Sequence, residues 1–272
     1  LEQAFTGCEK LQRHMRFFLD AGSLYKICNG NLLFHACVPL NADGSLMETE
    51  VFGETYKGRA LYDVMERYVR AAFFDPDPEM RKRGRDLLWY MWLGEGSPLF
   101  AKSKMATFEL YLIAEKEARK EVKNSFYSYL DDERVMGGIF EDFGMDPETS
   151  RIVCGHVPVK VKDGEDPVKC GGRVLTIDGG FSKAYQPTTG IAGYTLISNS
   201  YGFVLAAHEP LESMRAAVVN ELDIHSSRKV VELVDKRTLV ADTDNGAVLK
   251  QQIADLEELL EAYRCGILAE KE

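Results

Sequence analysis

Several residue types are scarce in this sequence, and each scarcity excludes a class of protein. Basic residues are outnumbered, since 33 Lys and Arg against 43 Asp and Glu give a formal net charge of −10. A nucleic-acid-binding surface depends on clustered Lys and Arg, so we expect no nucleic-acid partner. No apolar run approaches the roughly 20 residues that a membrane-spanning helix needs, so we expect no membrane partner.

The spacing of the cysteines does not indicate a metal-binding or redox motif. The six cysteines include no Cys-x-x-Cys pair, and Cys37 and Cys154 lie in apolar runs, where a free Cys acts as a small hydrophobic residue. This usage favours reduced thiols and a cytoplasmic location over a disulfide framework. An initiator Met and a signal peptide are also lacking at Leu1, which we interpret as the start of a piece of a longer protein.

The remaining composition fits a globular α/β protein, with 45% hydrophobic and 28% charged residues. Helical spacing of apolar residues predicts the helices, and short apolar runs bounded by turn residues predict buried strands and one hairpin. The predicted helices cover residues 1–21, 59–74, 79–93 and 108–130, with another near the C-terminus. The predicted strands cover residues 24–28, 32–38, 151–154 and 173–177, and the hairpin covers 194–207.

Two of the five histidines share a sequence context. His35 lies in a short apolar run and His156 directly follows one, and each has a proline within a few residues. Ligand groups in open α/β sheets collect at the carboxyl ends of strands, and imidazole suits transition metals. Gly155 would let the backbone approach a metal closely. A histidine satisfied within a packed sheet is the alternative, and the pattern leaves both interpretations open.

Residues 34–39, Phe-His-Ala-Cys-Val-Pro, resemble the His-Gly-Gly-Leu-Ser segment of calcineurin-like metallophosphatases. Residues 155–159, Gly-His-Val-Pro-Val, resemble the late Gly-His motif of that superfamily. Both histidines are metal ligands there, so the resemblance implies this role for His35 and His156. Ala36 stands where many members of the superfamily have Gly.

Further stretches at residues 9–14, 30–33, 96–100 and 177–186 resemble the bacterial class III fructose-1,6-bisphosphatases in particular. The resemblance implies a layered αββα sandwich of the metallophosphatase type, to which this chain would contribute the C-terminal part. Residues 1–210 would form that part, with a helical insertion at about 55–145, and residues 211–272 would form a polar, helical extension.

For the whole protein, the resemblance implies hydrolysis of the 1-phosphate of fructose 1,6-bisphosphate in gluconeogenesis at a dinuclear Mn²⁺ site. The superfamily also uses Asp-x-His, Gly-Asp-x-x-Asp and Gly-Asn-His-Asp/Glu motifs ahead of the two histidines, and none precedes His35 here. We therefore expect a preceding N-terminal segment of the same protein to supply the missing ligands, including the Asp that bridges the metals. Alone, this chain is predicted to be inactive.

Candidate substrate contacts follow the strands. Lys160 comes after the Gly-His motif, and Lys183 and Tyr185 come after Gly179-Gly180. Either lysine would neutralise a phosphate as a point charge, although a solvated loop lysine is the alternative. Asp178 would orient a ligand histidine through its second ring nitrogen, or would simply form a turn.

Two other functions remain open at this point. The same fold would serve a phosphoesterase acting on another phosphate ester, or the chain would be a non-catalytic assembly or regulatory module. A helical apolar stripe near the C-terminus would join subunits of a homo-oligomer or pack on its own domain; it consists of Ile253, Leu256, Leu260 and Tyr263. If a partner sheet lies outside this chain, we also expect an exposed apolar sheet face.

Overall fold

The computed structural model describes residues 1–178, 182–210, 213–221 and 225–269. In these ranges the helices are α1 (Glu2–Thr6), α2 (Glu9–Ala21), α3 (Gly58–Phe74), α4 (Pro78–Leu93), α5 (Phe108–Leu112), α6 (Glu133–Asp142), α7 (Gln186–Thr189), α8 (Met214–Val219) and α9 (Asp244–Arg264). The strands are β1 (Tyr25–Cys28), β2 (Asn31–Phe34), β3 (Thr49–Val51), β4 (Glu54–Tyr56), β5 (Arg151–Cys154), β6 (Val168–Lys169), β7 (Val174–Thr176), β8 (Gly193–Asn199), β9 (Gly202–His208) and β10 (Ser226–Leu233). The α/β class predicted from the sequence is confirmed.

The chain divides into two compact units, Leu1–Gly193 and Tyr194–Glu272. The domain boundary predicted near residue 210 stays a prediction. No helix in the described ranges is long and apolar enough to cross a membrane.

A five-stranded sheet organises the first unit, in the order β1-β2-β5-β7-β6. The three central strands are parallel, with Leu33 opposite Val153 and Val153 opposite Leu175, and the two outer strands are antiparallel to their neighbours. Parallel neighbours end at the same edge of a sheet, so the segments that leave β2, β5 and β7 meet there.

One face of this sheet is covered by the larger apolar core. Leu32, Phe34 and Ile152 point into it from the strands, and the aromatic residues Tyr62 and Phe126 pack against them from the long segment between β2 and β5. That segment also contributes α6, whose buried face consists of Val135, Met136, Ile139 and Phe140.

Helices α3 and α4 pack against each other around a second core and cross closely at Gly84. Asp77 caps α4, its carboxylate accepting from the Glu79 N–H at 3.0 Å, and Pro78 occupies the first turn, where a missing N–H costs nothing. A Cβ added to Gly84 would overlap the Tyr68 carbonyl oxygen and lie 2.5 Å from the Ala72 nitrogen. The crossing therefore depends on a residue without a side chain.

Two predicted helices differ from the structure. The single helix over residues 1–21 is interrupted at Gly7-Cys8, between α1 and α2. The predicted helix over 108–130 is wrong, because only α5 and two short 3₁₀ turns, Glu117–Arg119 and Ser125–Ser128, are helical. Main-chain pairing with the segment after α4 takes precedence over helix propensity here, since the Ser103 N–H donates to the Val122 carbonyl at 2.8 Å.

The predicted hairpin of the second unit is confirmed as β8 and β9, and β10 extends it to a sheet in the order β10-β9-β8. His208 links all three strands, because its Nε2 lies 2.8 Å from the Thr195 hydroxyl and its Nδ1 lies 2.8 Å from the Ser226 hydroxyl. Its role in the described structure is therefore a cross-strand one.

The glycine at the α3–α4 crossing gives a first prediction. Gly84→Ala should lower the free energy of unfolding by about 1–3 kcal/mol through overpacking, although alanine favours a helix by about 1 kcal/mol over glycine. Gly138→Ala in α6 is the matched control, because a Cβ there meets nothing within 4 Å, and it should leave stability unchanged or raised. Urea denaturation followed by the fluorescence of Trp89 and Trp92, both in α4, measures the difference. Equal stability of both variants would contradict the close crossing.

Candidate functional site

Three side chains with metal-site chemistry follow the three parallel strands. His35 directly follows β2, His156 comes two residues after β5, and Asp178 comes two residues after β7. The Ile177 N–H donates to the Cys154 carbonyl at 2.9 Å and the Gly155 N–H to the His35 carbonyl at 2.9 Å, so the strand ends remain joined beyond the ladder. The sheet edge thus collects the two histidines whose ligand role the family resemblance implies, together with the aspartate predicted to orient one of them.

The two histidines are in direct contact although 121 residues separate them in the chain. The Nε2 of His35 lies 3.0 Å from the Nδ1 of His156, and the ring centroids are 4.9 Å apart at an interplanar angle of 71°. One of the two nitrogens donates and the other accepts, so at least one ring carries a proton at the shared contact. The juxtaposition that the strand-end pattern predicted is therefore present.

His156 has an unusual backbone conformation, with φ at 67° in the left-handed region. Non-glycine residues rarely adopt it, and such strain concentrates at functional sites. Gly155 beside it has an ordinary φ, and a Cβ there would lie 3.5 Å from the Asp178 Cβ and 3.6 Å from the His35 carbonyl oxygen. Packing within the chain therefore does not require glycine at residue 155. The unusual left-handed backbone conformation is at His156 instead.

The segment after β2 is held by side chains instead of a strand ladder. The predicted strand over 32–38 ends at Phe34, because β5 offers no partner beyond Leu33. The Tyr62 hydroxyl donates to the Cys37 carbonyl at 2.8 Å, and the Tyr127 hydroxyl donates to the Ala36 carbonyl at 3.1 Å. These two bonds fix the chain on the C-terminal side of His35.

A loop after α4 contacts His156 from another direction. Ser97 is buried, donates to the Met91 carbonyl at 2.6 Å and accepts from the Phe100 N–H at 3.3 Å, so it ties this loop to the end of α4. The main chain of Phe100 favours the protonated form of the His156 ring, whereas the nearby ammonium of Lys102 opposes it. Sequence reasoning missed Lys102, because only the fold brings it near a strand end.

Burial is the leading cause of the pKa shift at both imidazoles. Burial lowers the pKa of His35, and the negative charge of the Asp178 carboxylate partly offsets this by raising it. It also lowers the pKa of His156, together with the positive charges of His35 and Lys102. Lowered from an ordinary value of about 6.5, these pKa values keep the rings neutral at neutral pH, the form in which imidazole binds metals.

The neighbouring thiols do not join this site. Cys37 and Cys154 are buried, as predicted for small hydrophobic residues, and all six cysteines are free. Burial raises the pKa of the Cys154 thiol to about 12 and raises that of Cys37 further. Both remain protonated at neutral pH, whereas metal ligands and nucleophiles are thiolates.

The predicted substrate residues Lys160, Lys183 and Tyr185 are exposed in the structure. Lys160 is exposed and its ammonium lies 3.8 Å from the Asp163 carboxylate, while its N–H donates to Glu165 at 2.8 Å. Lys183 and Tyr185 are exposed in the segment that leads into α7. Gly179-Gly180 lies outside the described residues. The substrate roles of the three side chains stay predictions.

Asp178 is the charged group common to both histidines, since its carboxylate opposes the lowering of each pKa. Nevertheless, no group of three or more His, Cys, Asp or Glu side chains is arranged to hold a metal ion within the described ranges. Residues 223–225, Asp-Ile-His, have the Asp-x-His form but follow both histidines, and only His225 is described. The described part of this chain therefore offers ligands without completing a metal site.

The other face of the sheet is only partly covered: Leu33 is 38% exposed, whereas Val153 and Leu175 on the same face are buried. A cleft of about 870 Å³ adjoins His35 and is lined almost entirely by apolar side chains. Leu33 and Val153 form its floor, and Phe18 reaches over it from α2 with 68% of its surface exposed. Such an exposed apolar surface is typical of a contact with another protein segment.

Comparison with known proteins identifies the family. Residues 1–265 match the family model described as Firmicute fructose-1,6-bisphosphatase. A class 3 fructose-1,6-bisphosphatase of Clostridium botulinum (strain Langeland) is 52% identical over all 272 residues, and one of Clostridium tetani is 49% identical over 271. The chain covers 41% of the length of each, about two-fifths of these relatives. No solved structure matches.

The family match thus extends from Leu1 past the end of α9 and includes both strand-end histidines. It agrees with the resemblance carried by the segments around His35 and His156. This chain belongs to the Firmicute fructose-1,6-bisphosphatase family.

Proposed function

We propose that this chain supplies His35 and His156 as metal ligands to a fructose-1,6-bisphosphatase that converts fructose 1,6-bisphosphate to fructose 6-phosphate and phosphate. The observation that carries the proposal is the 3.0 Å approach of two neutral imidazoles at the ends of adjacent parallel strands. In a protein of the relatives' length, this chemistry would serve gluconeogenesis in the cytoplasm.

A pair of bound metal ions, Mn²⁺ in this proposal, would supply an activated water and stabilise the attacking and leaving oxygens of an in-line phosphoryl displacement. His35 and His156 would bind through neutral ring nitrogens, so their mutual hydrogen bond must open when both nitrogens of that bond become ligands. Asp178, beside both rings, would accept a ring N–H and fix the orientation of a ligand. Lys160, Lys183 and Tyr185 are the proposed phosphate contacts.

The remaining ligands would come from an N-terminal segment of the same protein, packed on this chain. The apolar cleft supports this arrangement, because a segment packed over the exposed side chains of Leu33 and Phe18 would bury it. In the proposed layered αββα sandwich, that segment would be a second sheet. His35 lines the wall of this cleft, so the segment that covers the cleft would lie beside it. The same site would also suit another phosphate ester, which a panel of sugar phosphates distinguishes.

Replacement of either histidine in a full-length protein containing this chain should abolish turnover. His35→Ala and His156→Asn remove one ligand each, and asparagine tolerates the left-handed backbone at residue 156. Because loss of an outer-shell partner alone costs about 10–100-fold, we expect kcat to fall by more than about 100-fold. Phosphate release from fructose 1,6-bisphosphate measures it, with His208→Ala as the control. Full activity of both variants would overturn the ligand assignment.

The isolated chain should bind Mn²⁺ weakly and should not hydrolyse fructose 1,6-bisphosphate. Two imidazoles and one nearby carboxylate leave most positions of a dinuclear centre unfilled. Isothermal titration with Mn²⁺, together with a phosphate-release assay, tests both statements. Two tight sites accompanied by turnover would show that the described residues suffice.

Stability should depend on pH through the histidine pair. Both pKa values are lowered in the folded chain, so the unfolded chain binds more protons as the pH drops through about 6.5. The free energy of unfolding should therefore fall between about pH 7 and about pH 5, and fall less in the double variant His35→Asn/His156→Asn. Urea denaturation at several pH values measures this. His14→Asn, at an exposed position of α2, is the control; an identical pH slope in the double variant would contradict the pKa directions.

A further inference from the structure

Helix α9 carries an apolar stripe whose side chains are exposed. The stripe was predicted either to pack on its own domain or to join subunits, and its side chains are between 41% and 63% exposed. The predicted members are Ile253, Leu256, Leu260 and Tyr263, and Leu249, one turn before Ile253, extends the stripe. This exposure favours a contact between subunits over packing of the stripe on its own domain.

The spacing along the stripe is that of a coiled-coil seam. Successive members are separated by four, three, four and three residues, which is the alternation of a heptad repeat. A helix that packs on a globular core has a broader apolar face with a period near 3.6 residues. The seam covers 15 residues, or roughly 21 Å at 1.5 Å per residue. Val248 and Leu259, also exposed, lie along one side of the seam. The heptad spacing of the seam itself matches the face of one other helix.

The start of α9 is used within the chain, and the seam begins after that contact. Thr243 caps the helix, its hydroxyl accepting from the Gly246 N–H at 3.2 Å. Gly246 packs so closely under the preceding 3₁₀ turn, Val240–Asp242, that a Cβ would overlap the Val240 carbonyl oxygen. The first exposed member of the seam, Leu249, lies one turn further on. The helix is thus anchored at its N-terminus, with the rest available.

Charges beside the seam are complementary to those of a second copy. Lys250 and Glu257 occupy equivalent positions of successive heptads, on the same side of the stripe. In an antiparallel pair with Ile253 opposite Leu256 of the second copy, each Lys250 faces a Glu257, and two-fold symmetry makes this contact twice. In a parallel pair the same two residues face only Asn245 and Gln252. The charges therefore favour the antiparallel arrangement.

We propose that α9 is a dimerisation helix that forms an antiparallel two-stranded coiled coil with α9 of a second copy of this chain. A second copy of α9 offers both a matching apolar seam and opposite charges beside it. We therefore favour a second copy of this chain over an unrelated partner. The proposal does not depend on the metal chemistry, since His35 and His156 belong to the other unit.

Sedimentation of the chain over a range of concentrations tests the association. Wild type should approach twice the 30.6 kDa of one chain as its concentration rises, and Leu256→Lys should remain monomeric. Glu258→Lys, on the opposite side of α9, is the matched control and should dimerise like wild type. A wild type that stays monomeric up to about 100 μM, or a dimer unaffected by Leu256→Lys, would overturn the proposal.

Charge exchange tests the orientation. Lys250→Glu and Glu257→Lys each place like charges opposite one another twice, so each should weaken self-association by about 5–30-fold. Lys250 also donates to the Ala241 carbonyl at 2.8 Å, and far-UV circular dichroism checks that the helix survives the exchange. An equimolar mixture of the two variants restores both opposite-charge contacts and should associate as well as wild type. A mixture no tighter than either variant alone would refute antiparallel pairing.

Discussion

Parallel hydrogen bonding between β2, β5 and β7 is the interaction on which the rest of this molecule depends. It makes three strands end together, and thereby places His35, His156 and Asp178 at one edge of the sheet. Everything around the pair reinforces that placement: two tyrosine hydroxyls hold the chain after β2, and the strained backbone at His156 turns the chain directly after β5. Without the parallel ladder the two imidazoles have no reason to meet.

The sequence indicated this edge because its signals are local. Short apolar runs followed by Pro39 and by Gly155 mark β2 and β5, and their length and the turn residues after them suffice to predict short buried strands, although the first run extends past the observed end of β2. The α/β class, helices α3 and α4, and the hairpin of β8 and β9 follow from the same kinds of pattern. The metal-ligand role of the histidines came from family resemblance and is still a proposal.

What the sequence did not reveal depends on contacts distant along the chain. The charged stretch 108–130 has helical spacing, yet its main chain pairs with the loop after α4. Lys102 reaches the neighbourhood of His156 only through that loop, and the hydroxyl donors Tyr62 and Tyr127 resemble any core aromatic residue. The left-handed backbone of His156 is not predictable from residue type, because histidine, although enriched in that region, adopts it only occasionally.

The 121-residue separation between the two histidines has a consequence for how the protein is made. At about 5–20 residues per second, a ribosome needs roughly 6–24 s between releasing β2 and releasing β5. During that interval β2 has only β1 as a partner, and its other edge is open to any passing strand. Closing the long loop between β2 and β5 is also slow, because the chain loses conformational entropy before the β2–β5 hydrogen bonds form. The nascent chain is therefore a natural client for chaperones until β5 arrives.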